Sequence, residues 1–308
     1  MQTTVEKSFS HLGTGVHLGR PVRITVKPAE SGHGLVFKRT DVEDNKSLIP
    51  ASYEYLIKGE LCTSIANTYG VRVMTVEHLL AAFSGVGVTN ALIEIDNEEV
   101  PILDGSSDRF VKSIINAGVC EQDQSLMICK VTDIVEVQDG ASWARFEPAD
   151  ELKLTVTINY PGTLIGKQSL SLSMSNGAFM KELSNCRTFC LRDDVQNMVA
   201  KGLALGGSLE NAIVIDKFRV LNPEGLRRND EFVRHKMLDA LGDLTLSGNP
   251  IFGHFTSFCG GHRLNGKLIG ELLSSKQFHK FCHLNNSEAH KLLGFKYKSS
   301  SLDYKAVS

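Results

Sequence analysis

Phe232-Val-Arg-His235-Lys236-Met237-Leu238-Asp239-Ala-Leu241-Gly-Asp243 reads as a helix whose polar residues could carry chemistry. His235, Asp239 and Asp243 stand four apart, so on a helix their side chains stack along one stripe. Met237, Leu238 and Leu241 point elsewhere and give the helix an apolar side to bury. A neutral imidazole and a carboxylate one turn apart can both reach one divalent cation. The same spacing is common on surface helices, where His235, Lys236 and Asp239 would only face water. The rest of the chain has to decide between the two.

With 308 residues the chain is expected to form two domains of about 150 residues each. An apolar fraction of 42% and a charged fraction of 22% are those of a soluble globular protein. No apolar run approaches the ~20 residues that span a bilayer. A formal net charge of -2 gives no electrostatic case for nucleic acid or for adhesion to anionic lipid, so an anionic ligand would have to be met locally. The start Met1-Gln-Thr-Thr-Val-Glu-Lys lacks the basic and then apolar segments of a secretory signal, which makes the cytoplasm the expected compartment. Seven cysteines without a Cys-x-x-Cys pair fit reduced thiols better than a disulfide framework or a thiolate zinc site.

Gly13-Thr-Gly15-Val-His17-Leu-Gly19 resembles a phosphate loop, but Pro21 to Val26 behind it alternates as a strand does, so a β-hairpin loop is expected. Val73 to Phe83 turns helical, with Thr75 as N-cap and Gly85 as stop. Ala91 to Ile95 is a strand, and Pro101-Ile-Leu-Asp104-Gly105-Ser-Ser107 is a turn able to cap a helix from Asp108 to Ile115. Glu121 to Ser125 is the candidate linker, which places domains at 1–124 and 125–308. The second half restarts with strands at 127–131, 134–137, 143–146 and 152–158, and helices follow. Strands then helices in each half predicts an α+β fold with mixed or antiparallel sheets. No sequence repeat is visible, although the similar order of the halves suggests a structural duplication. The segment from His279 to Ser308 is expected to end frayed.

Glu77-His78 sets a carboxylate beside a metal-ligand type at the start of a helix. No His-Glu-x-x-His occurs, so the ligand set that remains is scattered: His78, His235 and Asp239. Three protein donors leave one position open, which is the catalytic pattern for Zn2+, and Glu77 could take a proton from a water held there. A purely structural site would have no use for that carboxylate. His262 sits in what reads as a glycine-flanked loop, with Asp243 able to support an imidazole. The pair His279 and His283 has helical spacing but lacks a carboxylate beside it.

Thr75-Val-Glu77-His78-Leu-Leu-Ala-Ala, Pro101-Ile-Leu-Asp-Gly-Ser-Ser, Cys186-Arg-Thr-Phe189, the stretch from Phe232 to Asp243, and Gly261-His262 together resemble the UDP-3-O-acyl-N-acetylglucosamine deacetylases, the zinc enzymes of lipid A synthesis. The resemblance runs in order from about residue 2 to about residue 275. It implies two similar α+β domains, each with a sheet and two helices, the helices packed at the inter-domain interface. It implies Zn2+ on His78, His235 and Asp239, Glu77 as general base, and His262, oriented by Asp243, as a second acid/base or electrostatic residue. Lys236 and Thr188 would face the developing oxyanion, and Phe189 would pack on the sugar. Val195 to Val214, with Gly207, Ser208 and Ala212, corresponds to an insert forming an acyl-chain tunnel. Leu61, Cys62 and Thr63 match a loop beside the metal. Cys190 and Cys259 depart from the family pattern, the latter where relatives carry a basic residue for the diphosphate, with Arg263 as the substitute. The partner implied is a small molecule, an acylated UDP-amino sugar, acted on by a monomer. The alternatives left open are a zinc amidohydrolase for another N-acylated substrate and a non-catalytic binding protein with a structural metal.

Overall fold

The structure is a computed structural model and describes residues 1–59, 61–175 and 177–284. Its organising feature is a topology used twice. In the first half, strands Phe9–Thr14, Pro21–Lys27, Leu35–Arg39, Leu48–Pro50 and Ala91–Ile95 form one sheet with the last strand in the middle. That strand runs antiparallel to Pro21–Lys27 and parallel to Leu35–Arg39. In the second half, Val135–Asp139, Ser142–Glu147, Leu152–Tyr160, Gly166–Ser173 and Ile251–Phe258 repeat this order, with Ile251–Phe258 antiparallel to Ser142–Glu147 and parallel to Leu152–Tyr160. The duplication is therefore visible in the sheets although not in the sequence. Met127–Val131 and His279–His283 extend the second sheet from one end of Ile251–Phe258.

One helix precedes each central strand and one follows it: α1 (Glu77–Val86) and α2 (Asp108–Ala117) in the first half, α5 (Glu231–Leu244) and α6 (His262–Ser274) in the second. Short helices α3 (Ala178–Glu182) and α4 (Arg192–Ala200) lie between. α1 packs on both α2 and α5, and α5 on α6, so the helices meet between the sheets as the resemblance implied. Leu79, Leu80 and Phe83 of α1 and Met237, Leu238 and Leu241 of α5 belong to a single apolar core shared by the halves. α5 is buried all round, including His235, Asp239 and Asp243, which removes the surface-helix alternative. Charges carried into an interior have to be paired or to hold a metal.

Several local expectations change. Thr75 does not cap α1; Val76 does, while Thr75 adopts a left-handed φ of 57° and its hydroxyl bonds the Glu99 carboxylate at 2.9 Å. Helix α1 runs past Gly85 and ends on left-handed Gly87. His262 is the first residue of α6 rather than part of a loop. Residues 279–283 form a strand, so the helical spacing of His279 and His283 has no meaning. Glu121 of the expected linker pairs with Thr3 in a small sheet formed by Val119–Glu121 and Thr3–Val5. Of the segment expected to fray, residues 285–308 lie outside the described residues.

Where α1 crosses α5, a Cβ on Gly242 would overlap the carbonyl oxygen of Glu77. An alanine in mid-helix is ordinarily better than glycine by about 1 kcal/mol, whereas an overpacked contact costs about 1–3 kcal/mol. Gly242→Ala is therefore expected to lower stability in chemical denaturation. A rise in stability would mean that the two helices do not meet at this point.

Candidate active site

The crossing of α1 and α5 brings together residues from distant parts of the chain. His78 comes from the first turn of α1, His235 and Asp239 from successive turns of α5, and all three are buried. One donor atom from each lies within 4.8 Å of the other two. Asp239 Oδ1 is 3.2 Å from His235 Nε2 and 3.4 Å from His78 Nε2, and the imidazole rings meet edge to face at 4.9 Å. The Nδ1 of His235 lies 3.0 Å from the carbonyl oxygen of Cys186. It must donate to that oxygen, so its Nε2 faces Asp239 as the nitrogen able to bind a metal.

The protein leaves His235 Nε2 and Asp239 Oδ1 buried without a hydrogen-bond partner. Such atoms are costly unless something else satisfies them. Glu77, Asp239 and Asp243 are three buried carboxylates beside two cationic residues, Lys236 and His262, so one negative charge is left over that a bound cation would offset. The residues present thus fit a metal, with two imidazoles and one carboxylate as donors.

Glu77 opens α1, and its Oε2 accepts the Thr63 backbone N–H at 3.1 Å. Burial pushes its carboxyl up to about 7, against the charge of His262. The Nε2 of His262 lies 3.7 Å from Glu77 Oε1, and its Nδ1 lies 3.0 Å from Asp243 Oδ2. Asp243 is held in turn by Asn265 at 2.8 Å and by the Thr63 hydroxyl. Burial and its place at the start of a helix both oppose a positive charge on His262. The carboxylates of Asp243 and Glu77 outweigh burial and raise its pKa to about 9. Glu77 and His262, both with raised proton affinity, thus stand side by side.

Lys236 donates to Asp239 Oδ2 at 2.7 Å, and the carboxylates around it hold its pKa above the usual lysine value despite burial. Thr188 ties the halves through its backbone, donating to Gly105 O and accepting from Ile213 N. Phe189 packs edge to face on Tyr160, Phe232 and His235. In the loop before the strand Ser64–Ala66, Leu61 is exposed with a left-handed φ of 66°, and Cys62 is buried with its thiol pushed up to about 12 by burial. Thr63 thus bonds both Glu77 and Asp243.

Val195, Gly207, Ser208 and Ala212 all belong to one insert, in which Phe189–Leu191, α4 and Ile213–Asp216 form a parallel strand–helix–strand unit. Its Leu205 and Gly206 donate backbone N–H groups to His17 and Val16 of the N-terminal hairpin loop. Gly206, rather than Gly207, is the crowded glycine, because a Cβ there would overlap Gly15 O. Arg263 is exposed and pairs with Asp139; with His262 and Cys62 it also lines a cavity of about 360 Å³. Sequence reasoning missed Asn265, although His262 and Asn265 stand three apart in a segment that proves helical. It could not have found Cys186, which acts through its backbone.

A buried carboxylate free to take a proton, an imidazolium opposite it, and three convergent donors beside them define a metal-dependent hydrolase. The family model for LpxC, UDP-3-O-acyl N-acetylglycosamine deacetylase, matches residues 2–274. The chain is 41% identical over 290 residues to the UDP-3-O-acyl-N-acetylglucosamine deacetylase of Idiomarina loihiensis, covering 94% of each. It is 42% identical over 307 residues to that of Myxococcus xanthus, covering 99% of this chain and 97% of the relative. The chain belongs to the UDP-3-O-acyl-N-acetylglucosamine deacetylase family.

Asp239→Ala is expected to abolish metal binding, because it removes the oxygen between both imidazoles. Elemental analysis after dialysis against a chelator checks this; a variant that kept stoichiometric metal would put the site elsewhere.

Proposed function

We propose that the protein hydrolyses the N-acetyl group of UDP-3-O-acyl-N-acetylglucosamine, releasing acetate and the free 2-amine, a step of lipid A biosynthesis. The observation that carries this is the pairing of Glu77 and His262 beside the buried donors His78, His235 and Asp239. Zn2+ is the metal assigned, because imidazole and carboxylate donors without thiolate, three in number, are a catalytic zinc set. When bound there, zinc would acidify the attacking water and polarise the amide carbonyl.

Glu77 takes the proton of that water as it attacks the carbonyl carbon. The oxygen that gains charge is met by the Lys236 ammonium and the Thr188 hydroxyl, the kind of fixed electrostatic stabilisation on which such steps depend. Asp243 holds His262 in place, and the imidazolium adds positive charge to the same pocket. The C–N bond breaks as the amine receives a proton, either the one taken up by Glu77 or one from His262. Phe189 would pack on the sugar, and Leu61, Cys62 and Thr63 would border the substrate. Arg263 would serve the diphosphate in place of a basic residue at Cys259.

The insert would hold the 3-O-acyl chain along Val195, Gly207, Ser208 and Ala212. Its Val199, Leu205 and Leu209 are exposed apolar side chains that a chain could cover. We further assign domains to 1–124 and 125–308, supported by the repeated topology, and a monomer, since one chain supplies every site residue. A cytoplasmic location is supported by the free state of all seven cysteines. Among the described residues, no helix is long and apolar enough to cross a membrane.

Acetate release from UDP-3-O-acyl-N-acetylglucosamine by the zinc-loaded protein tests the assignment directly, and absence of release would reject it. His262→Ala should keep its metal yet lose about 10²-fold or more in rate. Because His262 is protonated below about 9, wild-type kcat/KM should fall as pH rises through that value. Near wild-type turnover by His262→Ala across the whole pH range would exclude both its charge role and its proton role.

Each buried CH₂ contributes about 0.8 kcal/mol, so removal of the long acyl chain should lower kcat/KM many-fold. Equal values for the acylated and de-O-acylated substrates would take the acyl channel out of this account.

A further inference from the structure

The motif Pro101-Ile-Leu-Asp104-Gly105-Ser106-Ser107 takes no part in the chemistry above, yet it bonds α1 at His78 and, in the other half, Arg227 of the segment leading into α5. Ser107 stands at the N-cap of α2 but makes no side-chain cap. Such a cap is typically worth about 1 kcal/mol. Its hydroxyl instead donates to the carbonyl oxygen of His78 at 2.7 Å. Asp104 Oδ2 accepts from Arg227 NH2 of the other half at 2.9 Å. The backbone N–H of Arg227 then donates to Glu231 Oε2 at 2.7 Å.

Glu231, at the start of α5, is fully buried, as is Arg187. Glu231 Oε1 accepts from the Arg187 backbone N–H at 2.9 Å and from Arg187 Nε at 3.0 Å. Arg187 NH2 donates onward to Gly225 O at 2.7 Å. The residue before Arg187 is Cys186, whose carbonyl oxygen fixes His235. Glu231 and His235 are one turn apart, so segment 186–187 is held by the same face of α5 that bears the ligand. A backbone carbonyl is aimed by what anchors its neighbours: Cys186 N bonds Leu183 O and Thr188 N bonds Gly105 O, and between them Arg187 ties the segment to α5. Burying an ion pair is a poor way to gain stability, since desolvation offsets the attraction. A role in fixing position accounts for its presence.

We propose that the chain Asp104–Arg227–Glu231–Arg187 is a positioning clamp across the two halves, which aims Cys186 O at His235 and sets His235 against His78, and so determines metal affinity. Its residues touch no reacting atom. The proposal rests on the metal assignment made above. Partners one shell out from a ligand typically change metal affinity by about 10–100-fold when removed.

The test measures Zn2+ affinity by chelator competition, and the absorption spectrum of the Co2+-loaded protein, for wild type, Asp104→Asn, Glu231→Gln and the double variant. Each single variant should lose about 10–100-fold in Zn2+ affinity and alter the Co2+ bands, and the double variant should lose less than the product of the two. Arg72→Gln is the control: it removes a surface pair with Glu98 and should leave affinity unchanged. Variants that melt earlier but keep wild-type Zn2+ affinity and Co2+ spectrum would overturn the clamp alone. If Glu231→Gln does not fold, Asp104→Asn, which alters a partly exposed pair, decides the matter by itself. A wild-type protein that binds neither metal would overturn the metal assignment and the clamp with it.

Discussion

The close crossing of α1 and α5 is the contact on which everything else depends. Gly242 lets the backbones approach at Glu77, so His78 comes within 3.4 Å of Asp239 on the other helix. The same crossing joins apolar surfaces of both halves in one core. Packing and chemistry therefore share one constraint: a wider crossing would separate His78 from Asp239 and loosen the core together. Because interiors are close-packed, such a shift cannot be absorbed gradually.

The crossing also forces an electrostatic arrangement that folding alone would not favour. Three carboxylates lie buried in a small volume, and two ligand atoms have no partner. Burial alone would raise the affinity of Glu77 for a proton, which suits a base, while Asp243 and Glu77 hold the proton on His262. Asp239 stays ionised well below the ordinary range, with the surrounding imidazoles and Lys236 overcoming its burial. These opposite shifts come from who stands next to whom rather than from residue type. Structural carboxylates would normally be matched one to one with cations; here three carboxylates face two cationic side chains, and a bound cation would offset the remainder.

Much of this was legible in the sequence because the relevant signals are local. The polar stripe His235, Asp239 and Asp243 is a spacing, and the Glu77-His78 pair is a neighbour relation, so both could be read before any fold was known. What could not be read depends on contacts far along the chain. Gly260-Gly261 disguised the start of α6, since glycines suggest a loop and nothing local shows Asn265 reaching Asp243. The central strand Ile251–Phe258 was hidden because its apolar pattern is interrupted by Gly253 and His254. Thr75 looked like a cap, but Glu99 draws its hydroxyl away and holds it in a left-handed turn. α4 is polar and buries no residue, so no apolar period announced it.

The repeated topology explains why the site is asymmetric in its duties although the frame is nearly symmetric. Helices α1 and α5 occupy equivalent places before their central strands, and each supplies ligands. Helices α2 and α6 occupy equivalent places after those strands, and there the equivalence of use ends. α6 begins with His262 and points its first residue at Glu77, whereas α2 begins behind Ser107, whose hydroxyl is turned back onto His78. One helix start thus faces Glu77, and the other is bonded to the backbone of α1. A single copy of the fold could offer only one such start beside each ligand helix. Joining two copies face to face allows Glu77, His262 and the donors His78, His235 and Asp239 to converge from separate elements, each fixed by its own sheet.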